Sequence, residues 1–317
     1  MNTARHFALI VILFNLSNVA CQTNKERMFD ETEIAKETAE VFEEFFKSLE
    51  SEDCKTMNHT KSTLMNMQEL IDTAPSFTQK NIVFDMTGVL FEIHTSKLLY
   101  IQKIGILRLL GYALWHLRSP FDIIPIMLDF LDKMSPPTNN KYYKGRILPE
   151  LIYEWQIGKK TSEQIKADVQ KTIKTHPEYF SSDLEGSIIS IAVDTIFSPQ
   201  HFADSCQETE LIPLVHFLRK QKNTDGTPKY NLYLFSNFDA ESFELLKKQH
   251  PKLFACFDGL VVSGTAGFMK PDREIFDYLF TTYKLNPHDC LLIDDQEENV
   301  EAGLKLGMQA IRLLGSN

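Results

Sequence analysis

Four short apolar runs, each ending in a polar residue and followed by turn residues and a helical pattern, constrain this chain of 317 residues more than any other feature. Asn81 to Phe84 ends at Asp85 and then Gly88. Leu232 to Phe235 ends at Ser236, Leu260 to Val262 ends at Ser263-Gly264, and Leu291 to Ile293 ends at Asp294-Asp295. Strands that alternate with helices in this way form a parallel α/β sheet. Polar groups at the carboxyl ends of such strands converge on one crevice, the usual ligand site of an open sheet.

Between the first and second runs lie about 140 residues of another character. Leu98 to Leu117 is strongly apolar, but Gln102, Lys103 and Arg108 interrupt it, which favours a buried or cap helix over a membrane span. Pro120, Pro136-Pro137 and Pro177 punctuate further helices, and Thr161 with Gln164 makes a capping-box start for a helix through Thr172. No strand pattern stands out. Trp115, Tyr153 and Trp155 are expected to pack the core of this insert, while His116, His176, His201 and His250 share no spacing and read as solvated or capping residues. The fold class expected is α/β, with a Rossmann-like parallel sheet core, an inserted all-helical cap domain and an N-terminal helical extension.

The amino-terminal part differs in kind. Arg5, the apolar run Phe7 to Phe14 and the small Ala20 read as an export signal, too short for the roughly 20 apolar residues of a bilayer span. Cys21 raises a lipid anchor as an alternative, although Asn18 stands where such signals carry Leu; a retained tail on a cytoplasmic protein is the other. No membrane span is expected after signal removal. Cys54, Cys206, Cys256 and Cys290 match no zinc spacing. Asn58-His59-Thr60 fits a glycosylation acceptor that matters only in a eukaryotic secretory pathway. Ile34, Val41, Phe42, Phe45 and Leu49 fall at helical spacing within residues 30 to 50, and a second helix is expected from Lys61 to about Thr73, before the break at Ala74-Pro75-Ser76. The division expected is a signal peptide over 1–20, an acidic helical extension over 21–80, an α/β core over 81–95 and 207–317, and a helical cap over 96–206.

Charge narrows the function classes. Asp+Glu number 43 against 33 Lys+Arg, a net charge of −10. Eleven acids and three bases fall between Glu26 and Asp53 alone. An acidic chain of this kind is a poor candidate for nucleic-acid binding, which depends on neutralising phosphates.

The chemistry gathers at the strand ends. A carboxylate such as Asp85, before a turn containing Gly88, is placed to act as a nucleophile. Ser236 and nearby backbone N–H groups suit phosphate oxygens, Lys270 can neutralise an anion, and Asp294-Asp295 with Asp85 are hard oxygen ligands suited to Mg²⁺. Arg146, in the insert just before a helix, is a candidate contact to an anionic substrate.

In that order the motifs resemble the haloacid dehalogenase superfamily. Phe84-Asp85-Met86-Thr87-Gly88-Val89-Leu90-Phe91 is similar to its first motif, Leu234-Phe235-Ser236-Asn237 to its second and Lys270-Pro271-Asp272 to its third. Leu291-Leu292-Ile293-Asp294-Asp295, followed by Asn299-Val300-Glu301-Ala302-Gly303, is similar to the fourth. The helical insert after the first motif resembles the helical-cap branch of phosphoglycolate phosphatases, haloacid dehalogenases and epoxide hydrolase N-domains. The resemblance implies that Asp85 attacks phosphorus to give an aspartyl-phosphate. It implies Mg²⁺ held by Asp85, the Thr87 carbonyl, Asp294 and Asp295; substrate contacts from Gly88, Ser236 and Asn237; and Lys270 offsetting the negative charge. The substrate implied is a small phosphorylated metabolite. Thr87 departs from the family pattern: ordinary phosphatases carry there a second Asp that protonates the leaving oxygen and activates water, a contribution of about 10²- to 10⁴-fold. Glu92 and Glu154 are the candidates to stand in as acid. Hydrolysis is therefore expected to be slow or specialised. The alternatives are a non-catalytic binding protein on a degenerate scaffold and a metal-independent hydrolase of the dehalogenase type.

Overall fold

The computed structural model describes residues 63–74, 77–93, 123–143 and 146–314. The export signal, Cys21, Cys54, the acidic segment, the helix expected over 30 to 50, the Asn58 acceptor and the apolar stretch from Leu98 to Leu117 lie outside them. No helix among the described residues is long and apolar enough to cross a membrane.

The four apolar runs form the strands their pattern predicts: β2 (Asn81–Phe84), β7 (Asn231–Ser236), β8 (Gly259–Val262) and β9 (Cys290–Asp294). With β1 (Thr63–Met65) and β10 (Gln309–Leu313) they make a six-stranded sheet in the order β1-β10-β9-β2-β7-β8, every pair parallel. Helices α7 (Ile212–Lys220), α8 (Ala240–Gln249), α9 (Pro251–Phe254), α10 (Ser263–Ala266), α11 (Arg273–Tyr283) and α12 (Glu297–Lys305) belong to the crossovers. Side chains alternate across the sheet. Ile82, Phe84, Leu232, Leu234, Leu291 and Ile293 pack one face, and Val83, Tyr233, Phe235, Val261 and Leu292 the other. Both faces are apolar because both are covered, which is why the central strands carry continuous rather than alternating hydrophobicity.

The sequence expectation for residues 61 to 73 needs correcting. That segment opens as strand β1, paired with β10 (Thr63 with Ile311, Met65 with Leu313), and becomes helix α1 (Met67–Thr73) only after Asn66. The reason is a capping box. The Asn66 side chain accepts from the Glu69 N–H, and Glu69 accepts from the Asn66 N–H, each at 2.9 Å. Leu70 and Ala74 then sit fully buried among the core residues of the first face. The last part of the presumed extension is thus an edge of the sheet.

The insert leaves the core after β3 (Phe91–Ile93) and returns at β6 (Cys206–Glu208), which pair antiparallel as a two-stranded ribbon. Between them lie α2 (Ile123–Met134), α3 (Glu150–Gln156), α4 (Ser162–Thr175), α5 (Asp183–Ile196) and α6 (Pro199–Asp204). Their common core holds Met127, Leu131, Trp155, Ile165, Val169 and Phe197, and the Thr161–Gln164 capping box starts α4 as the sequence indicates. The insert is not wholly helical, however. Tyr142–Tyr143 (β4) and Arg146–Ile147 (β5) form a small antiparallel hairpin, too short to leave a periodic signal. Cys206, Cys256 and Cys290 are free and buried. Gly158 (φ 72°) closes the insert onto the core, since a Cβ there would lie 2.2 Å from the Gly264 carbonyl oxygen.

If α1 is part of the main core, Leu70→Ala should lower the unfolding free energy by about 2–5 kcal/mol in a urea titration. A change near zero would mean that α1 is an appendage.

Candidate active site

The sheet order reverses around β2, which has β7 on one side and β9 on the other, and a crevice opens at such a switch point. Register fixes what meets there. Phe84 lies opposite Ile293 and Leu234, so Asp85 and Asp294, one residue beyond, lie side by side, and Ser236 follows two residues past Leu234 at the end of the neighbouring strand. The Asp85 N–H continues the ladder to the Ile293 carbonyl at 2.9 Å. Lys270 enters from the loop after β8.

The Lys270 ammonium lies 2.9 Å from Asp85 Oδ1 and 2.6 Å from Asp294 Oδ2, and it donates to the Phe235 carbonyl at 2.8 Å. All three charged residues are at most 2% exposed. Burial alone would lower the Lys270 ammonium, but the charges of Asp294 and Asp85 hold it above its ordinary value. Burial pushes the Asp85 carboxyl well above its ordinary range; Lys270 pulls it down, and Asp294 and Asp295 push it further up. Asp295 is raised to about 6, by burial first and then by the charge of Asp294, against Lys270.

This donor set fits a hard divalent cation. Asp85, Asp294 and Asp295 each offer an oxygen, all within 4.8 Å of one another. When ionised they carry three negative charges against the single charge of Lys270, an imbalance that is costly in a buried site unless another cation offsets it. Asp295 Oδ1 and Ser236 Oγ are buried without a protein partner, a carboxylate oxygen and a hydroxyl open to a ligand. Gly88 (φ 84°) belongs to this geometry, because a Cβ there would lie 2.4 Å from Asp295 Oδ2. The turn carrying Thr87 is closed by Gly88 N–H donating to the Phe91 carbonyl at 2.8 Å.

The structure brings together Asp85, Thr87, Gly88, Ser236, Lys270, Asp294 and Asp295, commits Arg146 elsewhere and spends the Asn237 side chain on Lys270. Arg146 is bonded to Asp129 at 2.9 Å and Asp132 at 2.6 Å on α2. Its guanidinium is thus committed to a structural pair: Asp129 and Asp132, one helical turn apart, present both carboxylates to β5. Asn237 is used internally, its amide accepting from the Lys270 N–H at 2.7 Å and donating to the Lys270 carbonyl at 2.9 Å. Its side chain places the lysine. Of the two stand-in acids, Glu154 ion-pairs with Lys160 and Glu92 lies on β3 opposite Gln207.

Asn299 was not singled out from the sequence as a functional residue. It donates to both oxygens of Asp294, at 3.0 and 3.1 Å, and the Gln296 N–H adds a third bond at 2.9 Å. The available signal is positional: in the first turn of α12, Asn299 faces back toward the end of β9.

Comparison with known proteins identifies the family. The family model for haloacid dehalogenase-like hydrolases matches residues 79–307, and the chain belongs to that family. A HAD family enzyme from Bacteroides thetaiotaomicron has 16% identity over 75% of this chain and 95% of its own, with a TM-score of 0.48. A predicted HAD-like hydrolase from Porphyromonas gingivalis has 20% identity over 76% and 94%, with a TM-score of 0.47. A sesquiterpene phosphatase of Aspergillus oryzae is 29% identical over 85 residues; the match spans 27% of this chain and 43% of that protein.

The raised carboxyls give a pH signature to the metal-free protein. Asp295 has a folded-state value above its ordinary 3.8, so its contribution to stability is full below that pH and is lost as pH rises through about 6; Asp85 acts in the same direction. In EDTA the Tm should therefore fall as pH rises across this interval, and added Mg²⁺ should raise Tm chiefly above pH 6. Thermal melts with and without Mg²⁺ test this, and a Tm insensitive to Mg²⁺ above pH 6 would contradict the cation-site assignment.

Proposed function

We propose that this chain is a Mg²⁺-dependent hydrolase of a small phosphorylated substrate, working through an aspartyl-phosphate on Asp85, and that Thr87 makes it slow or specialised. One observation carries the reading: a buried ammonium bonded to two carboxylates, beside three carboxylate oxygens within 4.8 Å of one another. The match to a sesquiterpene phosphatase supports phosphoryl chemistry, although the shared stretch is too short to carry that protein's substrate across. In this reading the insert over 96–206 is a cap that selects the substrate.

Mg²⁺ held by Asp85, the Thr87 carbonyl, Asp294 and Asp295 would supply neutralisation of the phosphoryl oxygens. The chain's own residues do the rest. The Asp85 carboxylate attacks phosphorus, the bond from phosphorus to the leaving oxygen breaks, and Asp85 becomes an acyl phosphate. Lys270 stays protonated and offsets the charge that Asp85 and the phosphoryl group share. The Ser236 hydroxyl, unpartnered in the protein, donates to a phosphoryl oxygen. Water then attacks the phosphorus, releasing inorganic phosphate and restoring Asp85. Thr87 neither gives a proton to the leaving oxygen nor takes one from water, so donors whose leaving group departs as a stable anion are favoured. Asn299 and Gln296 orient Asp294 from behind.

Thr87 also favours a second reading, a protein that binds phosphorylated ligands on this scaffold without turnover. Hydrolysis of p-nitrophenyl phosphate and acetyl phosphate with Mg²⁺ separates the two. On the hydrolase reading wild type turns over the acyl phosphate, Asp85→Asn is silent, and Thr87→Asp raises monoester turnover on the order of 10²-fold. Wild type silent on both donors, with activity gained by Thr87→Asp, establishes the binding reading instead. Asn299→Ala should weaken Mg²⁺ affinity about 10- to 100-fold in a titration by calorimetry, since it frees Asp294 on its outer side.

A further inference from the structure

The insert meets the Lys270 loop at a point the chemistry above does not use. Lys141, just before β4, is 7% exposed despite its charge, and its ammonium bonds to the carboxylate of Asp272, two residues beyond Lys270. A buried ammonium is costly without a partner, and Asp272 is its ion-pair partner among the described residues. The surrounding loop is braced. The Lys141 N–H donates to Asn139 Oδ1 at 3.0 Å, and the Leu148 N–H donates to the Lys141 carbonyl at 2.8 Å. The Asn139 amide donates to the Leu148 carbonyl at 2.9 Å and to Glu150 at 3.0 Å. Beside this contact Leu148 and Ile157 of the insert pack on Met269 of the core. The Tyr153 phenol is raised, by burial first and then by the charges of Asp272 and Glu150, which places it in the same neighbourhood. The Asn237 amide of the core holds the Lys270 N–H and carbonyl. Residues 269–272 are therefore held both by the core, through Asn237, and by the insert, through Lys141, Leu148 and Ile157.

We propose that Lys141 is a positioning residue for Lys270. By fixing Asp272 it lets the insert set where the Lys270 ammonium stands relative to Asp85 and Asp294, so engagement of the insert completes the charge arrangement of the site. The consequence for turnover rests on the hydrolase reading above; the positional claim does not.

Two readouts on the full-length chain test it, with Lys141→Met, Lys141→Arg, Asp272→Asn and the double variant Lys141→Met/Asp272→Asn. The first is the rate at which an amine-acylating reagent labels Lys270, read by peptide mass spectrometry against the exposed Lys248. Lys270 should be protected in wild type and Lys141→Arg, and labelled several-fold faster in Lys141→Met and in Asp272→Asn, with Lys248 unchanged. The second is acetyl phosphate turnover. The kcat should fall roughly 10- to 100-fold in either single variant with KM little changed, as expected for a displaced catalytic group. It should recover in Lys141→Arg and fall no further in the double variant. Unchanged Lys270 labelling in both single variants overturns the proposal, and so does faster Lys270 labelling that comes only with loss of a cooperative thermal melt, which would mark plain loss of folding. If wild type is inactive on every donor, the hydrolase reading fails and Lys270 labelling alone decides the positional claim.

Discussion

The ammonium of Lys270, buried between Asp85 and Asp294, is the interaction on which the rest of the site depends. Two carboxylates from adjacent strands reach the same level because β2 and β9 pair parallel in one register. Without the lysine they would face each other in an apolar surround. Removing one partner from such a buried set leaves an uncompensated charge, which costs about 3–5 kcal/mol. The triad therefore ties together β2, β9 and the loop after β8, elements far apart in sequence, through a few polar atoms.

Around this centre the supporting bonds divide cleanly. Asn299 and the Gln296 N–H orient Asp294, Asn237 holds the lysine main chain, and Gly88 keeps the first turn clear of Asp295. Each of these sits just outside the reacting set and spends its polar atoms inward on the protein. What is left uncommitted, Ser236 Oγ and one oxygen of Asp295, is a donor and an acceptor, both buried without a protein partner. An anion with a cation beside it satisfies both.

How much of this was legible in the sequence follows from the physics of each element. The central strands announce themselves because both their faces are covered, so each is a short apolar run ending at a polar residue. β1 and β10 do not. β1, at one edge of the sheet, is only three residues long, and β10, although paired on both sides, has its apolar pattern broken by the polar Gln309 and Arg312. The β4–β5 hairpin is shorter still. In the site, Asp85, Ser236, Asp294 and Asp295 were readable because strand ends in a parallel sheet converge, and Lys270, on the loop after β8, through the motif Lys270-Pro271-Asp272. Arg146 was not, because a cation's identity says nothing about its partner; Asp129 and Asp132 claim it through helical spacing in α2. Asn237 was placed correctly, and both ends of its side-chain amide are used on Lys270. Asn299 and Lys141 act on other residues rather than on a ligand, so no chemical pattern in the sequence marks them.

Thr87 is best understood through the same charge balance. Three carboxylates and one ammonium already leave the cluster electronegative, and burial has raised Asp85 and Asp295 in response. A fourth carboxylate at position 87 would supply the acid and base of hydrolysis but would add to the repulsion felt by an incoming phosphoryl dianion. A threonine there gives up proton transfer and removes that repulsion. On the proposed reading the substitution therefore shifts the site toward holding a phosphoryl group and away from releasing it. The balance between binding and turnover then rests on a single side chain, while the cation site, the lysine and the sheet that carries them stay the same.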